Sequence, residues 1–381
     1  MPPGHRPPSL PAVVTLGVVS ALISSLAITT PASAVEPTHR LGRVVVTAPT
    51  TRAVFSKPGE ARVRHLVTRD LRRTPRGAVV RGVVWEFTSG PLAHELVRAS
   101  RRGVIVRLVV GGIDCHGPAV QYLRHHLAGD SFAECVTDSA RGRDTFAGRE
   151  TNLHQKTWTF TETGGAHWVT IVTSANATSV ADQEQYNDAY QSVGDVELFR
   201  RLKDVFHEQV RDRPMARPYR YFRLGAGRSV SFSPWNSPDQ ADPVIRRIRD
   251  LPAQGTTIRA TYSNWQDRRG VRVARALAAK ARKGADVRVL MSRPFSAAVH
   301  GVLRRAGVPL RTAWFGPHRY SHLKFMTARF HQGGQVQTRV WTGSENMWSP
   351  SRGLDEIVLE IPSRSAYDSY TRFFADVWDD R

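Results

Sequence analysis

Two separate stretches of the chain carry the same order of apolar and polar positions. In the first, the β-prone runs Val79–Phe87 and Val104–Val110 flank a segment whose apolar residues recur at helical spacing. In the second, Thr257–Tyr262 and Val287–Met291 flank a similar segment. Each pattern predicts a strand–helix–strand unit, and a helix that joins two strands in this way predicts that the strands run parallel.

The repeat extends beyond these units and divides the chain into two halves. An arginine-rich helical pattern precedes each unit, around Val63–Leu71 and Val244–Leu251. We therefore predict an N-terminal half over 35–212 and a C-terminal half over 226–381, joined by a proline-containing linker over 213–225. A long unit that occurs only twice indicates two halves related by a pseudo-twofold axis, since solenoids need more copies.

The first 34 residues have the pattern of a cleaved secretory signal. Ala12–Ile28 is mostly apolar, and the small-residue sequence Ala32-Ser33-Ala34 follows it. This sequence predicts cleavage after Ala34 and export of the mature protein. No later stretch approaches the roughly 20 apolar residues that a membrane-spanning helix needs. We expect a secreted protein without a transmembrane segment.

The chain is strongly basic, with 54 Lys and Arg against 33 Asp and Glu and a formal net charge of +21. Such a charge concentrates anions near the surface, and nucleic acids, anionic lipid headgroups and polyphosphates all fit. An arginine-rich genome composition accounts for the same excess equally well. Charge alone therefore identifies no substrate.

The only two cysteines are Cys115 and Cys135. An even number of cysteines in an exported chain favours a disulfide, and two cysteines allow one pairing. A catalytic thiol is the alternative interpretation. With no third cysteine and no histidine cluster nearby, the sequence offers no zinc site.

Each half contains one His-x-Lys triplet at the start of a β-like run. The first is His154 and Lys156, and the second is His322 and Lys324. Residues i and i+2 of a strand point to the same face, so each triplet presents an imidazole and an ammonium side by side. Chance predicts fewer than one such triplet in a chain with 14 histidines, so a pair in equivalent places indicates function.

A Ser-x-Asn motif follows each triplet at the end of the next strand-like run. Ser174 and Asn176 follow the first triplet, and Ser344 and Asn346 follow the second. For both serines, a turn hydroxyl that bonds the backbone is as good an interpretation as contact with a ligand. An acid follows each motif: Asp188 in the first half and Glu356 in the second.

This order of motifs resembles the phospholipase D superfamily, whose pattern is His-x-Lys-x4-Asp followed by Gly-Ser-x-Asn. The resemblance covers essentially the whole mature chain. It implies a duplicated phospholipase D-like α/β fold, in which two halves with mixed or parallel β-sheets are flanked by helices. Three positions depart from the pattern: Thr161 and Arg329 stand in place of the aspartates, and Thr173 in place of the first glycine.

The resemblance also implies a metal-free mechanism without a cofactor. The first-half histidine, His154, is implied as the nucleophile that forms a phosphohistidine, and His322 as the general acid. Carboxylates hydrogen-bonded to the ring nitrogens would fix the tautomers and stabilise the cation, and Asp188 and Glu356 are the candidates. The remaining motif residues are implied to bind the phosphate: Lys156, Lys324, Asn176 and Asn346, with Ser174 and Ser344 supporting them.

Three functions remain open from the sequence. The first is a secreted phosphodiesterase that hydrolyses or transphosphatidylates a phospholipid headgroup bond, acting as a monomer with transient contact to a membrane surface. The second is a secreted nuclease of the same superfamily, which the charge favours. The third is an inactive binding protein that keeps the fold, and the missing motif aspartates favour it.

Overall fold

The computed structural model describes residues 48–136, 138–142, 151–235 and 242–380. The predicted signal over 1–34 and its cleavage after Ala34 lie outside these residues. No helix among them is both long and apolar enough to cross a membrane.

The first half builds one mixed sheet with the strand order β1-β7-β6-β5-β2-β3-β4. Its strands are β1 Arg52–Ser56, β2 Val79–Val84, β3 Ile105–Gly111, β4 Phe132–Val136, β5 Thr157–Thr163, β6 Ala166–Thr173 and β7 Gln185–Ser192. Its helices are α1 Arg62–Arg73, α2 Gly90–Arg101, α3 Pro118–His126, α4 Ser179–Gln183 and α5 Val196–Val210.

The second half builds a second mixed sheet with the order β12-β11-β10-β14-β15-β16-β9-β8. Its strands are β8 Arg220–Arg223, β9 Ser229–Phe232, β10 Thr257–Tyr262, β11 Asp286–Met291, β12 Leu310–Thr312, β14 Lys324–Gln332, β15 Gln335–Gly343 and β16 Ile357–Ile361. Its helices are α6 Pro243–Asp250, α7 Asp267–Arg282, α8 Ala297–Arg305 and α9 Arg364–Asp379. The short strand β13, Tyr320–Ser321, leaves this half and pairs with β7.

The structure confirms the two parallel strand–helix–strand units. In the first, β2 pairs in parallel with β3, and in the second β10 pairs in parallel with β11. The α2 helix shows how the sequence sets such a unit. The Ser89 hydroxyl caps its first turn by accepting the N–H of Leu92, and Gly103 follows its end at a φ of 90°, where a glycine is favoured.

The segment assigned as a linker, 213–225, contributes to the second sheet. Its residues 220–223 form β8, which pairs antiparallel with β9. A strand that pairs at a sheet edge satisfies backbone groups that an open linker would leave to water.

An apolar core is shared between the two halves. Tyr186 and Tyr190 of β7 pack in one cluster with Phe325 of β14, Leu359 of β16 and Tyr370 of α9. Because burial of apolar surface is the main favourable term in folding, this cluster fixes how the two sheets meet.

Each His-x-Lys segment forms a main-chain hydrogen bond with the opposite half. The His154 N–H donates to the Asp355 carbonyl at 3.0 Å, and the His322 N–H donates to the Tyr186 carbonyl at 3.0 Å. Both triplets are thereby anchored at the junction of the two sheets, where each is positioned by main-chain hydrogen bonds from the other half.

Candidate active site

Both histidines line one cavity of about 580 Å³ at the junction of the two sheets. The cavity lies beyond the carboxyl ends of the parallel strands, where ligand sites of such sheets are usually found. His154 is 4% exposed, and the ammonium groups of Lys156 and Lys324 are buried next to the rings. The structure thus brings together the two triplets that the sequence places 168 positions apart.

Glu356 holds the ring of His154 from the opposite half. Its Oε2 lies 2.8 Å from His154 Nδ1 and accepts the Ser344 hydroxyl at 2.6 Å, while its Oε1 accepts the Ser351 hydroxyl at 3.1 Å. This arrangement places the proton on Nδ1 and leaves Nε2 of His154 with a free lone pair. Ser344 acts on the carboxylate, which is a supporting position behind the cavity.

Asn187 holds the ring of His322 in the equivalent place. Its Oδ1 lies 3.2 Å from His322 Nδ1 and accepts the Ser174 hydroxyl at 3.0 Å. The matching serine contacts in the two halves show that Asn187 corresponds to Glu356. One histidine is therefore backed by a carboxylate and the other by a neutral amide.

Asp188 was predicted to bond a histidine ring, but the preceding residue, Asn187, occupies that place. Its carboxylate accepts the hydroxyls of Thr342 at 2.5 Å and Tyr370 at 2.9 Å, both in the second half. Adjacent residues of a strand point to opposite faces, so Asn187 faces the histidine while Asp188 faces the interface between halves. Asp188 joins the two halves, and its carboxylate has no hydrogen bond to either histidine ring among the described residues.

The two lysines donate to equivalent backbone carbonyls, but their other contacts differ. Lys156 Nζ donates to the His154 carbonyl at 2.6 Å and lies 5.0 Å from the centre of the Trp85 ring. Lys324 Nζ donates to the His322 carbonyl and to the Ser263 hydroxyl, both at 2.9 Å. Neither lysine is among the residues that line the cavity. Each lies directly behind a histidine that does, and each ammonium has three donors.

Burial governs the protonation of these groups. Desolvation lowers the pKa of Lys156 to about 7 and that of Lys324 well below its usual value. Desolvation, followed by the two lysine charges, also lowers the pKa of both His154 and His322 well below 6.5. An anion bound among them would reverse these shifts, because it replaces lost hydration with opposite charge.

The two asparagines of the Ser-x-Asn motifs both line the cavity. Asn346 accepts the Ser263 hydroxyl at its Oδ1, which orients its amide and leaves both amide N–H groups for a ligand. Asn176 donates one N–H to Glu86 Oε2 at 2.5 Å. Its second N–H remains for a phosphate oxygen.

Several cavity residues were not found by the sequence reasoning. They follow the ends of the parallel strands: Trp85, Glu86, Asp114, Asn264 and Arg293. Their signal was available, because polar or aromatic residues directly after the strands of such units gather at one edge. Trp348 also lines the cavity, whereas Trp265 is fully buried in the core.

The predicted disulfide between Cys115 and Cys135 is present. It links the turn after β3 to strand β4. Among the residues that the structure describes, no group of three or more His, Cys, Asp or Glu side chains is arranged to hold a metal ion.

Comparison with known proteins finds similar folds among solved structures. No protein-family model matches the chain, and no curated protein sequence matches it. Among solved structures, phosphatidylserine synthase of Haemophilus influenzae superposes with a TM-score of 0.55 at 12% identity, over 85% of each chain. Polyphosphate kinase of Porphyromonas gingivalis superposes with a TM-score of 0.55 at 11% identity, over 87% of this chain. This chain spans about half of that kinase, 51% of its length.

The chain has the phospholipase D-like fold. Within this fold, the two positions of the missing motif aspartates lie in strands and not in the cavity. Thr161 in β5 accepts the Val79 N–H at 2.8 Å at the start of the neighbouring strand β2, and Arg329 lies in β14 opposite Thr257. Neither replacement removes a group from the cavity that holds the two histidines.

Proposed function

We propose that the protein is a phosphodiesterase that acts through a phosphohistidine without metal or cofactor. One observation carries the proposal. Two imidazoles from different halves line a single cavity, and each is held at Nδ1 by a residue of the other half, so that both Nε2 atoms remain for chemistry. Two buried ammonium groups accompany them, which suits a phosphate group.

In the first step, Nε2 of His154 attacks phosphorus and the P–O bond to one alcohol breaks. His322, protonated at Nε2, gives its proton to the departing oxygen. The phosphate charge favours this protonated form, since it offsets the repulsion from the lysines. Lys156, Lys324 and Asn346 would bind the phosphoryl oxygens as charge builds on them, together with the free N–H of Asn176.

In the second step, neutral His322 takes a proton from water, whose oxygen attacks the phosphohistidine. The P–N bond breaks and His154 returns to its neutral form. Another alcohol in place of water gives transphosphatidylation. The Glu356 carboxylate favours positive charge on His154, which develops as its lone pair is shared with phosphorus.

We propose a phospholipid headgroup bond as the substrate and a monomer that meets a membrane surface transiently. The size of the cavity and the aromatic residues Trp348 and Tyr320 on its wall support this choice. The predicted export of the chain is compatible with it.

Nucleic acid is the second candidate, and a basic groove favours it. This groove has a volume of about 730 Å³ and lies between β1, α1 and α9. It is lined by Arg52, Lys57, Arg62, Arg69 and Arg372 among others. Phosphate contacts by such side chains dominate the affinity of proteins for nucleic acids.

One assay panel tests the proposal and separates the candidates. Wild type, His154→Ala and the matched control His331→Ala, which removes an exposed imidazole from the same fold, are assayed on phosphatidylcholine, bis(p-nitrophenyl) phosphate and DNA with EDTA present. We expect chelator-resistant hydrolysis of at least one diester, lost in His154→Ala and kept in His331→Ala.

Hydrolysis of DNA alone, falling steeply with salt, would identify the nuclease. Activity that EDTA removes would contradict the metal-free mechanism. No hydrolysis of any diester by the wild type would support the inactive binding protein.

A further inference from the structure

The two walls of the cavity carry opposite charge. Glu86 and Asp114 follow β2 and β3 on the wall of the first half. The second half presents Asn264 and Arg293 after its corresponding strands β10 and β11. Two carboxylates beside a phosphate site are unexpected in a chain with a net charge of +21. We call the surface formed by Glu86, Asp114 and Asn176 the acidic wall.

The acidic wall has acceptors that lack donors. Glu86 uses Oε2 for Asn176 Nδ2, and Asp114 uses Oδ2 for the N–H of Phe87 at 2.8 Å. Among the described residues, the second oxygen of each carboxylate has no hydrogen bond, and neither group lies in an ion pair. Asn176 is 8% exposed, and its Oδ1 is buried without a partner.

Unpaired buried acceptors are rare because each costs the free energy of its lost hydration. Asn176 Oδ1 is such an acceptor. Glu86 and Asp114 are half-buried, and both line the cavity beside it. The three acceptors together suit a ligand rich in N–H donors. A second phosphate at this wall would be repelled, whereas an ammonium would form charge-assisted hydrogen bonds with it. The ring of Trp85, which could otherwise receive a quaternary ammonium, is already contacted by Lys156.

We infer that the acidic wall binds a protonated amine carried by one ester substituent of the phosphodiester, an amine that retains N–H donors. The inference rests on the proposed function and names the substrate class of the same cavity. The amine occupies the first-half wall while the phosphate lies between the histidines. Aminoalkyl esters such as those of ethanolamine have this chemistry.

A different role for Glu86 predicts a different result. Its charge also favours the charged form of Lys156. If this were its only role, removing the charge would lower the rate for every diester by the same factor. A role in binding the amine changes the ratio between substrates with and without an ammonium.

The test compares short-chain phosphatidylethanolamine, phosphatidylcholine and phosphatidylglycerol as monomers in solution, where surface charge of a vesicle plays no part. The variants are Glu86→Gln and Asp114→Asn, which keep the shape and an acceptor. The matched control is Asp130→Asn, which removes one exposed charge at the opposite end of the first-half strands. Thermal unfolding verifies that each variant folds.

We expect the wild type to prefer the ethanolamine ester to the glycerol ester in kcat/KM, and each wall variant to reduce this preference about tenfold, the effect of one charged hydrogen bond. Asp130→Asn should keep the preference. The inference would be overturned if Glu86→Gln and Asp114→Asn lowered kcat/KM equally for all esters, or if the wild type had no preference between the ethanolamine and glycerol esters. Faster cleavage of the choline ester than of the ethanolamine ester by the wild type would also overturn it.

The failure of the proposed function is distinguishable from these outcomes. It would appear as absent hydrolysis of all esters by the wild type. In that case, calorimetry with glycerophosphoethanolamine and glycerophosphoglycerol tests whether the acidic wall binds an amine. Tighter binding of the ethanolamine compound, lost in Glu86→Gln, supports the amine site, and equal binding refutes it.

Discussion

His154 Nδ1 lies 2.8 Å from the Oε2 of Glu356, a residue 202 positions further along the chain. The equivalent contact of His322 is made by the amide of Asn187 at 3.2 Å. A carboxylate favours the charged form of an imidazole more than an amide does. The two halves, alike in fold, thus give their histidines different acid–base properties.

Asn187→Asp should make the second histidine resemble the first. A carboxylate at Nδ1 stabilises the imidazolium and raises the pKa of His322 from its lowered position. The protonated general acid then persists to higher pH, so the alkaline limb of the kcat/KM profile should move up by about one pH unit. An unchanged profile in a folded variant would show that His322 is not the group that donates the proton.

Glu356→Gln should lower kcat by about 100-fold while the protein stays folded, because a neutral partner stabilises the charge developing on His154 less. Steady-state kinetics on bis(p-nitrophenyl) phosphate measures the loss. Glu134→Gln, which changes an exposed acid, is the control and should retain its rate. Equal rates in both variants would remove Glu356 from the mechanism.

The same carboxylate should reduce stability at alkaline pH. Burial raises the pKa of Glu356 to about 7, from 4.5. The folded state therefore holds this proton more tightly than the unfolded state, and the stability it contributes is present below pH 4.5 and lost as the pH rises through 7. Relative to wild type, Glu356→Gln should gain about 1–3 kcal/mol between pH 5 and pH 8. Urea unfolding at both pH values tests this, and a constant difference would contradict the shift.

Asp188→Asn should affect stability more than chemistry. The variant weakens the hydrogen bonds from Thr342 and Tyr370 at the interface of the halves. We expect a loss of about 1–3 kcal/mol in unfolding free energy with kcat retained within a few-fold. Asn187→Ala, one residue earlier, should lower kcat, because His322 loses its hydrogen-bond partner at Nδ1. A Asp188→Asn variant of normal stability and abolished kcat would restore Asp188 to the catalytic set.

Reduction of the Cys115–Cys135 disulfide should destabilise the first half. The bond closes a loop with a sequence separation of 20 residues, and the loop-entropy account gives about 3 kcal/mol for a loop of this size. A lower Tm of the Cys115→Ser/Cys135→Ser double variant measures the effect. Free thiols in the purified protein, found by mass spectrometry, would contradict the pairing.

Much of the fold followed from the sequence because its signals are local. The parallel units around β2–β3 and β10–β11 come from apolar runs and helical spacing, and the His-x-Lys triplets from a two-residue period. Glu356, a candidate from the sequence, does bond the ring of His154, but the partner of His322 could not be assigned this way. Whether Asn187 or Asp188 faces His322 depends on which face of β7 meets the other half, and only packing of the shared core decides that. Asp188 was the more conspicuous candidate because it is an acid, but its carboxylate bonds residues at the interface between the halves.

The most direct test of the account is to trap the covalent intermediate. In His322→Ala, attack by His154 remains possible for a substrate with a good leaving group, such as bis(p-nitrophenyl) phosphate, while activation of water is lost. We predict one equivalent of p-nitrophenol released in a burst, and a nitrophenyl phosphoryl group on the peptide that contains His154 after alkaline quenching and mass spectrometry. A rapid burst without phosphoryl transfer to His154, or a label on another residue, would contradict the central claim.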